Sequence, residues 1–109
     1  MNDALKALFD VADSAAKQAY APYSKFSVGA AIRTPSGDII SGCNVENAAY
    51  PAGTCAEAGA IAAMVAAGET RITEIAIVGL KSNPCYPCGA CRQRIFEFSD
   101  AATRVHLRD

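Results

Sequence analysis

The sequence predicts an α/β fold, a three-layer α-β-α sandwich around a mixed central sheet, and three observations carry that expectation. Helical and β-branched segments follow one another in the order α-β-β-α-β-α-β. Apolar residues recur at three- and four-residue steps in the first helical segment but run almost continuously from Ile72 to Leu80, as a buried strand requires. At 109 residues, 51% hydrophobic and 19% charged, the chain has the size and composition of a single domain spanning residues 1–109.

The elements follow in order. Leu5, Leu8, Phe9, Ala12, Ala16, Ala19 and Tyr20 form one apolar stripe, which predicts an amphipathic helix capped by Asn2 or Asp3 and ended by Pro22. Small and β-branched residues from Phe26 to Ile32, the turn residues Pro35-Ser36-Gly37-Asp38, and Ile39-Ile40 read as a hairpin. The polar stretch from Asn44 to Thr54, broken by Pro51 and Gly53, reads as a loop that presents side chains. An Ala-rich run from Cys55 to Ala67 predicts a close-packed central helix stopped by Gly68. After the strand at Ile72 to Leu80 comes a loop from Asn83 to Pro87, then a helix from Cys88 to Phe98 with Ile95, Phe96 and Phe98 as core contacts. Arg104 to Leu107 forms the last strand, at a sheet edge, and places the lone histidine, His106, in a structural or solvated role. Tyr20, Tyr23 and Tyr50 read as packing or interface residues rather than catalysts.

Ten Lys and Arg against eleven Asp and Glu give a net charge of −1, and the positive residues are scattered singly from Lys6 to Arg108. Polynucleotide binding draws on clustered Lys and Arg, so a small neutral ligand fits better than a nucleic acid. The start Met1-Asn2-Asp3-Ala4-Leu5-Lys6 lacks the pattern of a secretory signal, and the apolar run Ala60 to Ala67 is far shorter than the ~20 residues of a membrane span. The expectation is a cytoplasmic protein with no membrane partner. In a reducing compartment, five cysteines point to metal ligation or reactivity before disulfides.

Cys55 opens one predicted helix and Cys88-Gly89-Ala90-Cys91 opens the next. A thiolate at a helix start is stabilised by the dipole and the free N–H groups, which favours metal binding. Cys88 and Cys91, three apart on a helix, face the same side. Three cysteines with an open fourth position describe a catalytic Zn²⁺ site, and Glu57, two residues after Cys55, is placed to move protons without being a ligand. The pair of motifs Cys55-Ala56-Glu57 and Pro87-Cys88-Gly89-Ala90-Cys91 follows the zinc deaminase signature.

Four blocks together resemble the small, homotetrameric, zinc-dependent cytidine deaminases over nearly the whole chain. They are Ala21 to Ala31 (APYSKFSVGAA), Gly42 to Ala48 (GCNVENA), Cys55-Ala56-Glu57, and Pro87 to Gln93 (PCGACRQ), in the family's order. The resemblance implies hydrolytic deamination of cytidine or deoxycytidine in pyrimidine salvage. It implies one Zn²⁺ per subunit on Cys55, Cys88 and Cys91, with Glu57 shuttling protons. It further implies that Asn44 and Glu46 bind the ribose hydroxyl, that Phe26 packs against the nucleoside, and that the backbone at Ala56 reads the pyrimidine edge. A short polar loop suits a neutral sugar and an aromatic face suits a flat base.

Zinc with three thiolates carries a net −1, so donors to the sulfurs are expected. The family commonly supplies two arginines. Arg92 matches the one after the last cysteine, but Ala58 stands where the one after the catalytic Glu belongs, so sulfur hydrogen bonding is expected from Arg92 and one further donor. Members also continue past the segment matching Val105 to Leu107 with a strand and a helix that close a neighbouring subunit's site. Here the sequence ends at Asp109, and the expectation is a shortened form or a different closure.

Two other readings stay open. Deaminases of blasticidin S share the three-cysteine site and the Glu, although the Asn44-Val45-Glu46-Asn47 loop favours a nucleoside. A non-catalytic module closed by Cys55, Cys85, Cys88 and Cys91 would leave no position for water and no use for Glu57. Cys43 and Cys85 read as ordinary small buried or loop cysteines.

Overall fold

A computed structural model describes residues 1–108. Its elements are α1 (Asp3–Ala16), β1 (Val28–Arg33), β2 (Ile39–Cys43), a 3-10 turn (Tyr50–Ala52), α2 (Ala56–Ala66), β3 (Glu74–Gly79), α3 (Gly89–Glu97) and β4 (Arg104–Leu107). The strands form one mixed sheet in the order β2-β1-β3-β4, in which β1 runs antiparallel to both neighbours and β3 pairs parallel with β4. No helix among the described residues is long and apolar enough to cross a membrane.

Period-two alternation divides the core. Ala30, Ile32, Ile75 and Ile77 face Ala60, Ile61 and Met64 of α2 and Ile95 of α3. Ala31, Ala76 and Val78 face Leu8, Phe9, Ala12 and Ala16 of α1 on the opposite side. Both helical layers sit unusually close to the sheet. A Cβ on Gly29 would fall 2.0 Å from the Ala12 carbonyl oxygen, and one on Gly42 would fall 2.3 Å from the Ala60 nitrogen. Glycine at these two positions therefore sets how near α1 and α2 lie to the strands.

The first helix is capped by Asn2, whose Oδ1 accepts from the Leu5 amide at 2.8 Å. It ends at Ala16 rather than continuing to Tyr20. The backbone of Tyr20 is claimed by the polar loop, donating to the Asn44 carbonyl at 3.1 Å and accepting from the Glu46 amide at 2.8 Å. β1 starts at Val28 and not at Phe26, because Lys25 takes φ 61° and the Phe26 backbone bonds to the Ser24 and Asn44 side chains instead of a strand. On α3, Ile95 is buried and Phe98 packs on the core, but Phe96, a further 100° round the helix from Ile95, is 73% exposed. His106 has its structural partner, Glu74, with Nε2 2.9 Å from Oε1.

The C-terminal segment is tied to α1 by Arg108. Its guanidinium donates to both Asp13 oxygens at 2.7 and 2.6 Å and lies 5.3 Å from the Phe9 ring centre. The Arg108 hydrogen bond holds the Asp13 carboxyl below its ordinary value. A folded value below the unfolded one contributes stability that is present above the unfolded pKa and lost as pH falls through the folded one. Asp13→Asn is expected to lower unfolding stability by about 1 kcal/mol at neutral pH, and the gap to wild type should close as pH falls below the ordinary carboxylate value of about 4. Urea unfolding across that range checks this, and a gap that stays constant would contradict it.

Candidate active site

α2 and α3 pack on the same face of the sheet, and each begins at a cysteine: Cys55 is the N-cap of α2 and Cys88 that of α3. Neither sulfur caps its own helix, so both are free for another partner. Cys91 lies one turn into α3 and is buried. The Sγ atoms of Cys55, Cys88 and Cys91 lie within 4.8 Å of one another. Zinc held at ~2.3 Å by thiolates in a tetrahedron sets its sulfurs about 3.8 Å apart, so this triad fits a zinc ion with a small inward shift. Cys85 is not part of the triad; it is half-buried against the core.

The thiols differ in their surroundings. Burial pushes the Cys91 thiol up to about 12 and also raises Cys55. Cys88 is lowered, chiefly by the nearby Cys91 backbone amide. The arginine beside the sulfurs is Arg94, whose Nη1 donates to Cys91 Sγ at 3.3 Å. Arg94 is thus the further donor that was expected beside Arg92; the Arg92 side chain is exposed and makes no hydrogen bond among the described residues. Cys91 and Arg94, three apart on α3, are neighbours on its surface, which brings the guanidinium to the sulfur. That spacing was visible in the sequence.

Glu57, in the first turn of α2, is 5% exposed, and burial raises its carboxyl above the ordinary range. It opens onto a cavity of about 690 Å³, shared with Cys55, Ala56, Cys88 and Arg94. The amide of Ala56 is among the first N–H groups of α2, which have no partner within the helix. Asn44 and Glu46 also line the cavity. Asn44 is held by two backbone contacts, Oδ1 accepting from the Val28 amide and Nδ2 donating to the Phe26 carbonyl, each at 2.9 Å. Glu46 Oε1 accepts from the Tyr23 and Ser24 amides at 3.1 Å, and Oε2 accepts a short hydrogen bond from the Ser24 hydroxyl. These bonds, the Ser24 hydroxyl first, hold its carboxyl below the ordinary value.

Phe26 does not line the cavity. Its ring lies over Gly79, where an added Cβ would fall 2.7 Å from Cζ. The aromatic residues on the cavity are instead Tyr23, Tyr50 and Tyr86, of which Tyr50 is 91% exposed. Tyr23 and Tyr50 thus border the site, where packing or interface roles were expected. Tyr86 carried no sequence signal beyond lying between the loop and Cys88.

The sequence matches the family model described as "Cytidine and deoxycytidylate deaminase zinc-binding region" over residues 2–107. A cytidine deaminase of Sporosarcina psychrophila is 46% identical over 93 residues, covering 85% of this chain and 68% of that protein. One from Halalkalibacterium halodurans is 42% identical over 100 residues, covering 92% and 76%. The crystal structure of cytidine deaminase from Mycobacterium tuberculosis superposes with a TM-score of 0.88 at 36% identity, covering 96% of this chain and 85% of that one. A match that takes in the fold, both cysteine motifs and the loop carrying Asn44 and Glu46 leaves one conclusion: the chain belongs to the cytidine and deoxycytidylate deaminase family.

Proposed function

We propose that the protein hydrolyses cytidine or deoxycytidine to uridine or deoxyuridine and ammonia, in pyrimidine salvage. One observation carries this reading most directly: a buried carboxylate, Glu57, opens onto the same cavity as Cys55 and Cys88 of the triad. A purely structural zinc site has no need of it.

Cys55, Cys88 and Cys91 hold the ion, which when bound supplies a Lewis acid that makes water nucleophilic near neutral pH. Glu57 takes a proton from the attacking water and delivers it to the pyrimidine N3. It then takes the second proton of that water from the oxygen now bonded to C4 and passes it to the amino group, which leaves as ammonia while the C4 carbonyl forms. Its burial is what suits it to carry a proton in both directions. The free amide of Ala56, at the start of α2, donates to the pyrimidine edge.

The sugar is read by two fixed groups. Asn44 keeps one N–H in reserve after its two backbone contacts, and Glu46 keeps an unused lone pair on Oε2. A hydroxyl both donates and accepts, so this pair is complementary to a ribose hydroxyl. Because both side chains are already tied to backbone, little ordering is left to occur on binding. Tyr23, Tyr50 and Tyr86 supply the aromatic border of the cavity. The protein assembles as a homotetramer, as its resemblance to the small homotetrameric deaminases implies. It works in the cytoplasm, which suits five unpaired cysteines.

Two outcomes test these assignments. Glu57→Gln should keep its zinc yet lose about 10²- to 10⁴-fold in kcat, followed by the absorbance change from cytidine to uridine; undiminished turnover would remove Glu57 from the chemistry. Serine at Cys55, Cys88 or Cys91 should drop bound zinc well below about one per chain, whereas Cys85→Ser should leave it there. Loss of zinc on changing Cys85 would mean a four-sulfur site instead.

A further inference from the structure

Three ionised thiols around a divalent cation leave an excess of one negative charge before any fourth ligand binds. Such centres depend on neighbouring groups that offset the charge and fix the ligands' orientation. On α2 the position after Glu57 offers no side-chain donor, since Ala58 is apolar. On the α3 side Arg94 does. Its Nη1 lies 3.3 Å from Cys91 Sγ, and the residue borders the cavity while Cys91 is buried beneath it. The arrangement is intrinsic to the helix, because Cys91 and Arg94 are separated by one turn and stack on the same face. A guanidinium is always charged and spreads its positive charge over several donors, so one group can hold a sulfur and still act on its neighbours.

We propose that Arg94 is the positioning residue of the metal centre: its hydrogen bond fixes the Cys91 sulfur in the ligating orientation and offsets the excess charge of the three thiolates. The inference rests on zinc being held by Cys55, Cys88 and Cys91, and is independent of which nucleoside is bound. It assigns to a side chain of α3 the sulfur hydrogen bond that Ala58 leaves without a donor on α2. Arg94 is exposed over most of its length, so replacing it leaves the core intact.

The test compares wild type, Arg94→Gln and Arg94→Lys by competition for Zn²⁺ against a chromophoric chelator, and by the absorption spectrum of each protein loaded with Co²⁺. Arg94→Gln is expected to weaken zinc binding by about 10- to 100-fold, with Arg94→Lys recovering part of the loss. In the cobalt form of Arg94→Gln, the sulfur-to-metal charge-transfer band should move to lower energy, because a thiolate that loses its hydrogen bond is a stronger electron donor. A merely structural role would move neither. Zinc affinity in Arg94→Gln within about twofold of wild type, together with an unchanged cobalt spectrum, would overturn the proposal. Failure of the wild type itself to bind zinc would overturn the metal site and this inference with it, so the two failures are distinguishable.

Discussion

Three sulfurs gathered within 4.8 Å of one another are the constraint on which the molecule turns. Once ionised, each pair at ~4 Å repels by about 4 kcal/mol at an effective dielectric of ~20, so the triad is stable as thiolates only around a cation. The ligands come from two helix starts far apart in sequence, and the fold exists to bring those starts together. α2 and α3 share one face of the sheet through Ile32, Ile75, Ile77 and Ile95. Gly42 lets α2 settle almost onto the backbone of β2, which fixes the height of Cys55 above the sheet. A side chain there would lift the helix and carry Cys55 and Glu57 with it.

The same packing organises the loop that borders the cavity. The loop following β2 is held by bonds from its own polar side chains to the segment before β1, with Asn44 bridging Phe26 and Val28 and Glu46 gripping Tyr23 and Ser24. The residues proposed to read the sugar are thus also the residues that close the loop, so on that proposal a change at Asn44 alters both recognition and local stability.

Much of this was legible in the sequence. The helix starts at Cys55 and Cys88, the period-two strands, and the joint presence of Cys55, Glu57, Cys88 and Cys91 have local causes that spacing reveals. What was not legible depends on contacts between distant segments. The end of α1 is decided by Tyr20 pairing with a loop more than twenty residues away. Phe26 turns to Gly79 because β3 leaves room for its ring there, which no local pattern encodes. The sheet is more antiparallel than alternating helices and strands suggest, since β1 and β3 run in opposite directions across the centre. Arg94 is the instructive miss. The three-residue step that linked Cys88 to Cys91 extends to it directly, and motif matching drew attention to Arg92 instead.

The central claim is an open zinc centre with three sulfur ligands and a fourth position left to the reaction. Zinc K-edge X-ray absorption on the metal-loaded protein tests it most directly. The account predicts three sulfur neighbours at about 2.3 Å and one lighter neighbour at about 2.0 Å. Four sulfurs, with Cys85 as the fourth, would describe a closed structural site and contradict the catalytic reading at its root.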